Sequence, residues 1–237
     1  MCWSETATLA FAGLGSAATM VAYRRGEPLA IWGTIGYFTS MELLQLGGYR
    51  VIDQCGDPTN RLITQLSYLH VAMQPIIVNI FVMALSPTPI PAATRRLVLM
   101  LASLGTAVLL LRLVPMGWAG TCSAGDVFCG PDYCTVSGNW HLAWEVPLNR
   151  PWDLIPLVGD YIQVPGYMAT AILLPLLYGA WRFSLFNLCF GPVLAAILTD
   201  NPNEWPAVWC LFSVGIVLIA LSPMIRRGIA PGDMHRA

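Results

Sequence analysis

No lysine occurs anywhere in this chain, and charged residues of every kind make up only 11% of its 237 positions. The first absence bears on function, because attachment of retinal needs a lysine amine for the Schiff base. A retinal cofactor is therefore nearly excluded, although the number of apolar stretches invites that comparison. The scarcity of charge reaches further. Ordinary soluble domains carry about 25% charged residues, whereas this chain is 56% hydrophobic, a composition that fits a lipid bilayer as its solvent. Twelve basic side chains against thirteen acidic ones leave no basic surface, so no nucleic-acid partner is expected.

What the chain does have is long apolar runs, at residues 5–22, 29–48, 62–85, 97–114, 162–181, 185–199 and 207–224. Each of these predicts a transmembrane helix, the sixth being short for the purpose. Seven spans use roughly 140 residues and leave about 100 for connections and tails. The expected fold class is an all-α polytopic membrane protein, one transmembrane domain over residues 1–237. The first run has no positive stretch before it and is followed directly by Tyr23-Arg24-Arg25, the flank of a retained span rather than of a cleaved signal peptide.

Arginine supplies every basic side chain, and its placement predicts an orientation. Arg24, Arg25, Arg95, Arg96, Arg182, Arg226, Arg227 and Arg236 fall on one side of the seven spans, with Arg50, Arg61, Arg112 and Arg150 at or near the other. The positive-inside rule makes the richer side cytoplasmic, with the N-terminus outside and the C-terminus inside. Most carboxylates, among them Asp53, Asp126, Asp153, Asp160 and Glu204, collect on the outer side. The expected location is a bacterial inner membrane.

The connection at residues 115–161 exceeds ordinary loop lengths and predicts an outer cap with structure of its own. Its second half mixes tryptophans and aliphatics with charges, which suits segments lying along the membrane surface. Cys55, Cys122, Cys129 and Cys134 lie in outer loops rich in Gly, Pro and Asp. In an oxidising periplasm they form two disulfides with three possible connectivities; a bridge from Cys55 to the long loop is favoured, though sequence alone does not choose. The competing arrangement is a thiolate metal site of Cys122, Cys129, Cys134 and His141, whose spacing lacks the close Cys-x-x-Cys pair of structural zinc.

Polar residues within the spans mark the candidate site. Glu42 is a carboxyl inside an apolar run, where it is expensive unless neutralised, paired or hydrated, and Gln45 and Tyr49 follow it at helical spacing. On the third span Ser67, His70 and Gln74 share one face, and Gln65, Tyr68 and Asn79 the other, so that helix should avoid lipid and sit centrally. Counted inward at 1.5 Å per residue, Glu42 is about 10 Å and His70 about 14 Å deep, close enough in depth to meet. Such a pair can bind a metal, relay a proton, position a polar ligand, or simply tie two helices together. His141 would cover the pocket from outside, and Cys2 could add a metal ligand at its mouth. Gly13 and Ala17 place small residues four apart on the first span, which allows close helix packing.

The segments Met1-Cys2-Trp3-Ser4, Glu42-Leu43-Leu44-Gln45, His70-Val71-Ala72-Met73-Gln74-Pro75, Cys129-Gly130-Pro131-Asp132-Tyr133-Cys134 and Gly138-Asn139-Trp140-His141-Leu142-Ala143-Trp144 resemble a family of seven-span membrane proteins, found in bacteria and fungi, that opens Met-Cys-Trp-Ser and whose biochemical role is uncharacterised. The resemblance implies a shared architecture and no catalytic assignment. The functional expectation is a non-enzymatic membrane protein with a polar pocket near the outer leaflet. Glu42, Gln45, His70, Gln74 and His141 would line it, for a metal, haem or small ligand; Glu42, His70 and Cys2 are the metal candidates. Haem is the weakest of these, because only one histidine lies within a span. An intramembrane metal-assisted hydrolase, a small-solute transporter and an accessory subunit of a membrane complex are the alternatives.

Overall fold

The first half of the chain folds into four long helices whose ends follow local chemistry. α1 (Glu5–Arg24) starts at Ser4, whose hydroxyl accepts the Ala7 N–H at 3.3 Å. α2 (Leu29–Arg50) begins after Pro28 and α4 (Ala92–Leu111) after Pro91. α3 (Pro58–Ala84) is capped by Asp57, which accepts the Thr59 N–H at 2.6 Å, and carries Pro58 in its first turn, where a missing donor loses nothing. This computed structural model describes residues 4–151, 166–210 and 212–229.

The helices bury small and polar faces and turn aliphatic ones outward. Leu14 on α1, Leu43 on α2, Leu62 on α3, Met100 and Leu104 on α4, and Ile197 further along are all exposed. An outward aliphatic band of this kind is an interaction surface in water and ordinary in lipid. α1, α3, α4 and the helix over Trp181–Leu198 are each long and apolar enough to cross a membrane. α3 is the central one: 61% of its apolar window is buried, against 28% for each of the other three. Its two polar faces are the reason, since Asn60, Ser67, His70, Gln74 and Asn79 all lie inside the bundle.

The second half is helical but broken. A π turn at Ala169–Leu173 runs into a 3-10 turn at Leu174–Tyr178, which Gly179 ends at φ +79°. Then α5 (Trp181–Leu188), a second π turn at Cys189–Val193 containing Pro192, and α6 (Leu194–Leu198) follow. A 3-10 turn at Pro202–Glu204 leads to α7 (Trp205–Trp209), α8 (Phe212–Leu221) and α9 (Pro223–Ile229).

Such breaks strand backbone carbonyls, and two buried asparagines recover them. Asn79 Nδ2 donates to the carbonyls of Pro75 and Thr170, both at 2.8 Å, while its Oδ1 accepts from the Tyr178 hydroxyl at 2.8 Å. Asn187 Nδ2 donates to the Ala171 carbonyl at 2.8 Å, and its Oδ1 accepts from Trp209 Nε1 at 3.3 Å. Asn79→Leu keeps the volume and removes all three bonds. It should lower stability by roughly 2–4 kcal/mol, read as a fall in the melting temperature of the detergent-solubilised protein; a change below the error of that measurement would contradict the assignment.

The cap departs from the all-α expectation. β1 (Gly120–Thr121) pairs antiparallel with β4 (Asn149–Arg150), and β2 (Cys134–Ser137) pairs antiparallel with β3 (Leu142–Glu145), Thr135 facing Trp144. Strands of two to four residues are too short for a period-2 signal to stand out from the tryptophan-rich composition around them. Part of this loop was expected to lie along the membrane surface, but Leu142 and Trp144 are fully buried in the core. Residues 152–165, including Asp153 and Asp160, lie outside the described residues, as do Cys2 and Arg236.

Candidate ligand site

The cap is fastened to the α2–α3 hairpin before any site is formed. Cys55, in the turn between those helices, is bonded to Cys134 at the start of β2, and Cys122 to Cys129 within the cap. Asn60, at 0% exposure, repeats the attachment with hydrogen bonds: its Nδ2 donates to the carbonyls of Val51 and Thr135 at 2.7 and 2.9 Å, and its Oδ1 accepts the Thr135 N–H at 2.9 Å. The thiolate metal site weighed for Cys122, Cys129, Cys134 and His141 is ruled out in this arrangement, because all three sulfurs are spent in disulfides.

A second latch comes from the far end of the chain. Glu204, fully buried, accepts the backbone N–H groups of Asn139, Trp140 and His141, the latter two at 2.9 and 3.0 Å. Gly138 is required beside it, since a Cβ there would meet the Glu204 carboxyl carbon at 2.3 Å. Sequence reading placed Glu204 only among the outer acids. A carboxylate that binds main-chain donors leaves no pairing signature among side chains, so nothing in its neighbours pointed to this role.

The turn held by Glu204 delivers His141 onto α2. His141 Nε2 lies 3.1 Å from Gln45 Oε1, and its Nδ1 lies 2.7 Å from the Tyr49 hydroxyl and 2.8 Å from the Leu142 N–H. The network assigns the proton to Nε2, because Gln45 Oε1 can only accept and the Leu142 amide can only donate. Burial pushes the His141 pKa down to about 3 from its ordinary 6.5.

A depressed histidine pKa means that the unfolded chain takes up a proton before the folded one does. Stability is therefore full above pH 6.5 and falls as the pH drops through the window from 6.5 towards 3. By pH 5 the loss should be about 2 kcal/mol. Thermal unfolding of wild type and His141→Gln between pH 7.5 and 5 checks this: the wild-type curve should slope and the variant's should be flatter by that amount, whereas parallel curves would contradict it.

Deeper in, His70 forms a closed pair with Tyr37. The Tyr37 hydroxyl donates to the His70 carbonyl, His70 Nε2 donates to the Tyr37 carbonyl at 2.7 Å, and the rings stack with centroids 3.9 Å apart. His70 Nδ1 receives the Gln74 amide at 3.5 Å, and Gln74 Oε1 accepts from the Tyr167 hydroxyl. The Glu42–His70 contact that their similar depths allowed does not form, because both ring nitrogens face other partners. Glu42, 3% exposed, sits instead within electrostatic range of Tyr49 and Cys210.

The site thus has two tiers, Gln45 with Tyr49 and His141 above, and Tyr37 with His70, Gln74 and Tyr167 below. Tyr37 and Tyr167 were not singled out from sequence; each acts through its hydroxyl on a partner that only the fold brings near. A metal or haem iron bound through either candidate histidine would need its free lone pair, and those of His70 and His141 are directed at protein donors. Among the described residues no group of three or more His, Cys, Asp or Glu side chains is gathered to hold a metal. Gln45 is different. Its Oε1 is used by His141, but its Nε2, in a side chain 1% exposed, finds no acceptor among the described residues.

Fold and site together define a mostly helical protein with four helices long and apolar enough to cross a membrane and a disulfide-bonded cap over a buried cluster of polar side chains. The chain belongs to the family of unknown function DUF5765, whose family model matches residues 6–230. That match begins after the Met1–Ser4 opening. No curated protein and no solved structure matches the chain.

Proposed function

We propose that this chain is a seven-span integral protein of a bacterial inner membrane, N-terminus outside and C-terminus inside, which binds a small uncharged ligand near the outer leaflet and does not transform it. The three further spans are α2 and the apolar runs at residues 162–181 and 207–224. Contacts at the two ends of the bundle support the orientation. Arg226 bonds the Glu27 carboxylate at 3.0 Å and Arg182 the Gly228 carbonyl at 3.1 Å, gathering the arginine-rich end. The opposite end carries the Arg50–Glu5 contact at 3.5 Å and the cap.

The observation that carries the ligand reading is the Gln45 amide. A buried donor left without an acceptor costs about 1–3 kcal/mol, and such groups are few in native structures. Gln45 is held in place by His141, so it cannot swing out to find water. A small molecule presenting a carbonyl or hydroxyl oxygen would supply the acceptor. Both histidines being engaged by protein groups favours an organic ligand over a metal or haem.

Native mass spectrometry of the protein extracted in mild detergent tests this. The wild type should retain a stoichiometric small-molecule adduct that Gln45→Leu loses, while the variant stays folded with its stability lowered by no more than the roughly 1–3 kcal/mol that the His141 Nε2–H costs once its Gln45 acceptor is gone. No adduct in the wild type, equal retention by both, or stoichiometric metal or haem absorption in its place would contradict the reading.

A further inference from the structure

We propose that the groove between α1 and α2 is a binding site for an anionic phospholipid, one acyl chain lying along the groove and the phosphate on Arg24 and Arg25. The site is distinct from the buried polar cluster. It rests on the membrane placement given above and not on the ligand.

The groove has a volume of about 390 Å³, with Ser16, Thr19 and Met20 on one wall and Gly36, Ser40 and Leu43 on the other. The protons of its serine and threonine hydroxyls are already committed, that of the buried Thr39 to the Ile35 carbonyl at 2.8 Å among them. Ser16 donates to the Ala12 carbonyl at 2.8 Å, Thr19 to that of Gly15 at 2.8 Å, and Ser40 to that of Tyr37 at 2.6 Å. Each is turned back on its own helix, so the walls present carbon and satisfied oxygen, a lining suited to hydrocarbon.

Length and charge then choose the occupant. From Trp32 to Leu43 the α2 wall rises roughly 16 Å at 1.5 Å per residue, about half of the roughly 30 Å hydrocarbon core. It therefore spans one leaflet. Tyr23 and Trp32 meet edge to face at its lower end, with ring centroids 5.5 Å apart, where amphipathic rings mark the interface. Immediately beyond Tyr23 come the exposed Arg24 and Arg25. The neighbouring carboxylate, Glu27, is taken by Arg226, which leaves the two arginines to face an anion. Basic side chains at the cytoplasmic mouth of an interhelical groove are a recurrent anionic-headgroup site.

Detergent-purified protein exchanged into mixed phosphatidylglycerol and phosphatidylcholine, and read by native mass spectrometry, tests the assignment. The wild type should retain phosphatidylglycerol at least fivefold over phosphatidylcholine. In the Arg24→Gln/Arg25→Gln double variant that preference should fall below twofold while phosphatidylcholine is still held, and Ser16→Phe, which fills the groove from its open side, should lower retention of both at least fivefold. Met20→Trp, at an exposed wall position, gives the same reading should Ser16→Phe lower the melting temperature. Equal retention of the two lipids by wild type, an unchanged preference in the arginine variant, unchanged retention in both groove-filling variants, or a second copy of the chain in place of lipid would each overturn the proposal. The same preparations show whether the chain needs detergent at all, which separates failure of the groove from failure of the membrane placement.

Discussion

Glu204→Ala should release the turn at residues 138–141 and destabilise the protein by about 3–5 kcal/mol. The carboxylate is fully buried and accepts three consecutive backbone N–H groups. Hydrogen bonds to a charged partner contribute about 1.5–3 kcal/mol each, and the loss is compounded when the abandoned donors stay out of water. Alanine leaves all three N–H groups facing a void that water must enter. Glu204→Gln retains one acceptor oxygen but turns an amide NH₂ towards backbone donors, so it should recover only part of the stability. Because that turn carries His141 to Gln45, the alanine variant should also become cleavable by protease within the turn. Thermal unfolding and limited proteolysis are the two measurements. A shift below about 1 kcal/mol with an intact turn would show that the latch contributes little, since most exposed substitutions fall within about 0.5 kcal/mol.

Removing the Cys55–Cys134 bridge should be comparably severe, and more so than removing Cys122–Cys129. The first joins residues separated by 79 positions, the second by only 7. In the chain-entropy account of disulfides, a bridge closing the longer loop stabilises by roughly 4 kcal/mol and one closing the shorter by roughly 2. Asn60, with its three bonds to the same corner, should keep the cap loosely docked after the covalent link has gone. Cys55→Ser/Cys134→Ser is therefore expected to fold with a much lower melting temperature, and reductant, which opens both bridges, should bring the wild type lower still. Equal effects of the two bridges would mean that strain or residual structure, rather than loop closure, sets their contribution.

Features that depend on composition along one stretch of chain were legible without the structure. The first four helices follow from apolar length and end signals. The buried position of α3 follows from its two polar faces. A bridge from Cys55 to the long loop was favoured among three connectivities because the thiols gather on one side of the arginine asymmetry, and Cys134 is the partner the fold selects. Features made by partners distant in sequence were not legible. Glu204 and Asn79 act mainly on backbone groups, which every residue possesses, so no pattern of side chains announces them. His70 was read as a candidate ligand because it lies on a polar face of an apolar span at a depth near that of Glu42; that Tyr37 and Gln74 would take both of its ring nitrogens depended on helix rotation, which depth counting ignores. The breaks after residue 169 had partial signals in Pro175, Gly179 and Pro192, yet whether such residues end a helix or only bend it is decided by the asparagines that collect the freed carbonyls.

The account depends on the disulfide cap lying outside the membrane while the arginine-rich end lies inside, and thiol labelling in intact cells tests that arrangement most directly. Cells expressing the native chain are treated with a membrane-impermeant maleimide, with and without prior exposure to an impermeant reductant, and the labelled peptides are mapped by mass. The account predicts no label on Cys55, Cys122, Cys129 or Cys134 without reductant, and label on them in intact cells after it. Label that appears only once the membrane has been permeabilised would place the cap in the cytoplasm and contradict the account.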